Sequence, residues 1–109
     1  MTTPYIIVLI TTPSEAVGRQ IAEALLAEKL AACVNILPAV RSFYRWKGEI
    51  QNDQETLLVV KSRLDLFAER LAPVVKALHP YEVPEIIAVP ILAGSESYLD
   101  WIGEETRSG

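Results

Sequence analysis

Tyr5–Thr11 is an unbroken run of apolar and β-branched residues, and it predicts a strand covered on both faces. The period then changes: Val17, Ile21, Ala24, Leu25 and Glu28 recur at three- and four-residue steps and predict a largely apolar helix stripe. Thr12-Pro13-Ser14-Glu15 in front of it has the form of a capping box with proline at the first helical position. Lys29 suits the negative end of the helix dipole, so the helix is expected to finish there. Ala31–Ile36 and Val40–Trp46 read as one strand bent at Pro38. Lys47-Gly48 is a turn, and Glu49–Asn52 and Thr56–Lys61 return as a third strand, closing a long hairpin.

Ser62-x-x-Asp65 has the form of a second capping box. The helix after it carries Leu64, Phe67, Leu71, Val74, Val75 and Leu78 on one stripe, with Pro73 expected to kink it. His79–Pro84 breaks the regular pattern. Glu85–Leu92 is the fourth strand, and Pro90 places it at a sheet edge or a bulge. Gly94-Ser95 opens a last helix with Tyr98, Leu99, Trp101 and Ile102, and the polar tail after Gly103 is expected to fray. The order βαββαβα describes an α+β domain with a split βαβ pair: a four-stranded antiparallel sheet with both main helices on one face.

Length changes the picture at the hairpin. If Ala31–Trp46 is extended it spans about 50 Å, whereas a single domain of 109 residues is about 35 Å across. The tip must project or bend, and it carries Phe43, Tyr44, Trp46 and Ile50. Either Pro38 folds the hairpin back onto its own sheet, or other copies of the chain cover it; the geometry favours the second. Half of the residues are hydrophobic, an excess for so short a chain, and an interface between copies would absorb it.

The charge of −4 is interleaved, without a basic run, so nucleic acid and anionic membranes are poor partners. No apolar run is long enough to span a bilayer, and the N-terminus lacks the pattern of a signal peptide. The single Cys33 excludes an internal disulfide and a multi-cysteine zinc site, and fits a cytoplasmic location.

Five segments in this order resemble the CutA family of divalent-cation tolerance proteins. They are Ala31–Pro38 (AACVNILP), Ser42–Gly48 (SFYRWKG), Glu55 with Lys61, His79–Ile87 (HPYEVPEII) and Tyr98–Ile102 (YLDWI). The resemblance spans nearly the whole chain as one domain, residues 1–109. It implies a ferredoxin-like βαββαβ sandwich with an extra C-terminal helix and a long β2–β3 hairpin, assembled as a homotrimer similar to PII signalling proteins with clefts between subunits. It also implies a non-enzymatic role in tolerance of copper and other divalent cations. The copper site proposed for the family uses a cysteine at the end of the first strand and a His-His pair before Pro-Tyr. The matching positions here are Ile10 and Leu78-His79, so only His79 remains.

Several residues carry two readings each. His79 is a ligand for Cu²⁺ or another weakly held divalent metal, with Glu82, or else a helix-terminal histidine bonding the last carbonyls. Cys33 is a soft ligand or a small buried hydrophobe. Glu55 and Lys61, with Arg45 and Glu49, line an intersubunit cleft for an anionic metabolite or form cross-strand ion pairs. Tyr44, Trp46, Tyr81 and Trp101 belong to that cleft or its interface, as stacking platforms or as packing. No nucleophile elbow and no phosphate-cradling glycine loop is present. Three readings follow: a metal-tolerance trimer, a PII-like adaptor binding a small anion or partner protein, or a purely structural trimer. The short Lys47-Gly48 turn leaves no room for a long PII-type signalling loop.

Overall fold

The computed structural model describes residues 3–106. Strand β1 (Tyr5–Thr12) leads into helix α1 (Glu15–Ala27), then β2 (Cys33–Trp46) and β3 (Glu49–Arg63). A helical stretch follows in three parts: α2 (Leu64–Leu66), a π-helical turn (Phe67–Leu71) and α3 (Ala72–Leu78). Strand β4 (Ile86–Pro90) and helix α4 (Glu96–Glu105) complete the chain. All pairings are antiparallel, in the order β2-β3-β1-β4. Pro90 accordingly ends an edge strand, where a missing N–H costs little.

Burial alternates along β1. Ile6, Val8, Ile10 and Thr12 are buried; Tyr5, Ile7, Leu9 and Thr11 are half-buried. Ile6, Val8 and Ile10 join Leu58 and Val60 of β3, Ile21 and Leu25 of α1, and Leu66, Leu71 and Val75 in one core. Both main helices therefore cover the same face. The expectation that β1 is covered on both faces is corrected for the single chain: α4 reaches only the Tyr5 and Cys33 end of the other face.

Local signals were diverted by long-range partners. Ser14, not Thr12, caps α1, its Oγ accepting from Val17 N–H at 3.2 Å. Thr12 is in the strand and donates to the Ser14 carbonyl. Ser62 caps nothing: its hydroxyl donates to the Leu30 carbonyl at 2.6 Å, and Asp65 pairs with Arg63 instead. Pro73 is accommodated by the looser π turn, in which the Ala72 N–H reaches back five residues to Phe67. The chain past Gly103 is helical to Glu105, and Thr106 donates its hydroxyl to the Ile102 carbonyl; residues 107–109 lie outside the described residues.

Helix α1 stops two residues before Lys29. Leu30 N–H bonds the Leu25 carbonyl (2.9 Å) and Lys29 N–H the Leu26 carbonyl (3.1 Å), with Lys29 at φ +57°. This is a Schellman motif, sealed by the buried Leu25 and Leu30, with lysine where glycine is favoured. Lys29→Gly is expected to stabilise the chain by about 1 kcal/mol, the left-handed penalty less glycine's unfolded entropy. A urea midpoint unchanged or lowered would contradict this.

The hairpin is continuous from Cys33 to Arg63, with the expected irregularity at Pro38 and without the expected interruption after Asn52. Its register runs Trp46↔Glu49 to Val40↔Glu55, then jumps to Leu37↔Leu57, so β2 holds one extra residue at Pro38–Ala39, with Ala39 at φ +62°. Proline is tolerated there because the bulge frees it from the ladder. Beyond Thr12, the end of β1, the two strands continue alone as an arm, and the molecule measures 43 × 27 × 23 Å. No helix among the described residues is long and apolar enough to cross a membrane.

Candidate functional site

The arm and the loop after α3 meet at the C-terminal end of β1. His79 still gives its N–H to the Val75 carbonyl (2.9 Å), but its backbone has turned extended, as the residue before Pro80 must. The side chain is 7% exposed. Its Nε2 lies 2.7 Å from the Thr11 carbonyl, and Tyr81 N–H donates to Nδ1 at 3.2 Å. A carbonyl only accepts and an N–H only donates, so this network assigns the proton to Nε2. Both ring nitrogens are thus committed. The His79 ring bonds a strand carbonyl 68 residues away, not the last carbonyls of its own helix.

Held in this way, Tyr81 sets its ring 4.8 Å from that of His79 and donates its hydroxyl to Glu55 Oε2 at 2.9 Å. Beside it, the Tyr44 hydroxyl donates to Asp53. Tyr44 pairs with Gln51 across the hairpin and sits diagonal to Asp53, so Tyr44, Asp53 and Glu55 share one face of the arm. The hydrogen bond to Asp53 raises the Tyr44 pKa, and burial followed by the Glu55 bond raises that of Tyr81. Both phenols therefore remain donors at neutral pH.

A cavity of about 300 Å³ opens here between Tyr44, Trp46, Pro80, Tyr81, Glu82 and Val83. A second of about 440 Å³ shares Tyr44, Tyr81 and Val83 with it and adds Arg41, Glu55 and Glu85. Together they form one cleft with aromatic walls and an acidic floor.

The structure divides the residues expected at a site. Tyr44, Trp46, Glu55, Tyr81 and Glu82 line the cleft, with His79 beneath. Cys33, Lys61 and Trp101 lie at the other end of the sheet. Cys33 and Lys61 are cross-strand partners; Lys61 Nζ bonds Asn35, Tyr98 lies beside Cys33, and the Trp101 ring is 5.5 Å from that of Tyr98. Tyr98 has its pKa raised by burial first and Cys33 second. Asp53, Arg41 and Glu85 were not singled out from the sequence. Counting outward from the Lys47-Gly48 turn would have brought Asp53 to Tyr44.

A copper site does not fit these groups within one chain. His79 has no free nitrogen, Glu82 is exposed, and Ile10 is fully buried in the core. No three His, Cys, Asp or Glu side chains converge as a metal site among the described residues.

The family model for the CutA1 divalent ion tolerance protein matches residues 6–105. The divalent-cation tolerance protein CutA of Thermus thermophilus is 58% identical over 100 residues, covering 92% of this chain and 96% of that protein. The chloroplastic protein CutA of Arabidopsis thaliana is 47% identical over 107 residues, 98% of this chain but only 58% of that longer protein. Among solved structures, CutA1 from Oryza sativa superposes with a TM-score of 0.92 at 45% identity, covering 99% of this chain and 98% of that one. The Thermus thermophilus structure superposes with a TM-score of 0.91 at 56% identity, covering 94% and 99%. A hairpin arm, a His-Pro-Tyr clasp and a terminal helix in one continuous match leave one conclusion: the chain belongs to the CutA family of divalent-ion tolerance proteins.

Proposed function

We propose that this chain acts in divalent-cation tolerance as a non-enzymatic cytoplasmic homotrimer. The role follows from the names its relatives carry, and the number three from what the CutA resemblance implies. The observation that carries the assembly is the uncovered side of the sheet. Leu37, Ile87 and Val89 are exposed there, beside the half-buried Ile7, Leu9, Leu57 and Val59. On the arm, Phe43 and Ile50 are each 68% exposed. A chain this size does not leave so much apolar surface in water unless another surface covers it. Light scattering at micromolar concentration is expected to give three times the 12.1 kDa chain mass. A folded monomer would remove the reading.

In this reading divalent metal is held weakly and without His79, because its nitrogens are already bonded. Calorimetric titration with Cu²⁺ is expected to give the same shallow isotherm for the wild type and His79→Gln. A tight wild-type site lost in the variant would return His79 to the metal. An anionic metabolite suits the cleft less well, since Glu55, Glu82 and Glu85 outnumber Arg41 in its lining.

A further inference from the structure

Glu55 is 6% exposed, yet no arginine or lysine among the described residues pairs with it. The ion pair among the described residues, Arg63–Asp65, is elsewhere. Tyr81 occupies Oε2, while Oε1 receives no hydrogen bond among the described residues, and the residue lines the cleft. Oε1 is therefore open to the cleft rather than sealed from water, and a charged partner can reach it there. The groups around it show what kind of partner. Tyr44, Trp46 and Tyr81 present aromatic rings, and Glu82 and Glu85 add negative charge. The basic residue of the lining, Arg41, directs its guanidinium to Asn52 Oδ1 at 3.4 Å. One of the rings already holds a cation: Lys47 Nζ lies 5.6 Å from the centroid of Trp46. Aromatic faces beside an unpaired carboxylate attract a desolvated cation through both the ring quadrupole and the charge.

We propose that this cleft binds a small organic ammonium ion, its nitrogen at Glu55 Oε1 and its alkyl carbons against Tyr44, Trp46 and Tyr81. A bare metal ion is the poorer fit, because no three ligating side chains converge among the described residues. Glu55 lines the 440 Å³ cavity and Trp46 the adjoining 300 Å³ one, with Tyr44 and Tyr81 lining both, so an ion with its nitrogen at Glu55 places its carbons toward the smaller cavity. All the named groups come from one chain, but they share a sheet side with Leu37 and Leu57, so the inference rests on an assembly that leaves this cleft open.

The test is calorimetric titration of the full chain, in phosphate buffer, with n-butylammonium, tetramethylammonium and the uncharged tert-butanol. Saturable binding is expected for the two cations and none for the alcohol. Glu55→Gln keeps the shape and the Tyr81 partner but removes the charge, and is expected to weaken binding about tenfold. Trp46→Leu, at an exposed arm position, is expected to weaken it about fivefold without disturbing Glu55. The proposal is overturned if the cations show no saturable heat, if tert-butanol binds equally well, or if neither substitution alters the affinity.

Discussion

His79→Ala is expected to lower the unfolding free energy by about 3 kcal/mol, measured by urea denaturation at fixed protein concentration. The substitution removes a 2.7 Å bond to the Thr11 carbonyl and a 3.2 Å bond from Tyr81 N–H, and opens a space at a site only 7% exposed. It leaves buried backbone groups without partners, which is the costly half of losing a hydrogen bond. Two milder variants divide the loss. Glutamine can place an amide nitrogen near the position of Nε2 and keep the Thr11 bond; asparagine can place an oxygen near Nδ1 and keep the Tyr81 bond. Each is expected to recover about half of the loss. A His79→Ala protein as stable as the wild type would mean that the clasp contributes nothing.

Gly18→Leu is expected to cost about 3 kcal/mol or to prevent folding. Gly18 faces the sheet from α1, and a Cβ there would lie 3.1 Å from Leu58 Cδ2 and 3.3 Å from Thr12 Oγ1. Leu58 is fully buried, and the Thr12 hydroxyl is bonded to Ser14, so neither has room to retreat. Gly18→Ala sets helix propensity, worth about 1 kcal/mol, against those two close contacts, and is expected to be nearly neutral. The contrast between the two variants in thermal denaturation isolates the packing. A well-folded Gly18→Leu would show that α1 can lift from the sheet without loss.

The elements were legible where one periodicity persisted: β1, α1 and the hairpin follow from their apolar spacing. The caps were not. Thr12 and Ser62 looked like capping residues by sequence distance, but the strand hydroxyl of Thr12 turns to Ser14 and that of Ser62 to Leu30, 32 residues away. The same limit hid the role of His79. A solitary histidine before proline suggests a ligand, and only the fold shows that Thr11 and Tyr81 take both nitrogens. The continuous apolar run of β1 suggested two covered faces. In one chain a single face is covered, because the sheet has helices α1 and α3 on one side only. The cleft was half legible: its aromatic residues stood out, whereas Asp53 needed the hairpin register.

The extra residue at Pro38–Ala39 sets the sign of the cleft. Side chains alternate along a strand, so one residue more in the ladder would exchange the two faces for everything beyond it, and the bulge prevents this by leaving that residue unpaired. With it, Tyr44 and Trp46 point the same way as Glu55. Were Ala39 drawn into the ladder opposite Glu55 instead of bulging, Phe43 and Arg45 would oppose Gln51 and Glu49, and an acid-floored aromatic recess would gain a guanidinium where it now has indole. The electrostatics of this surface therefore depend on the parity of a residue count several positions away.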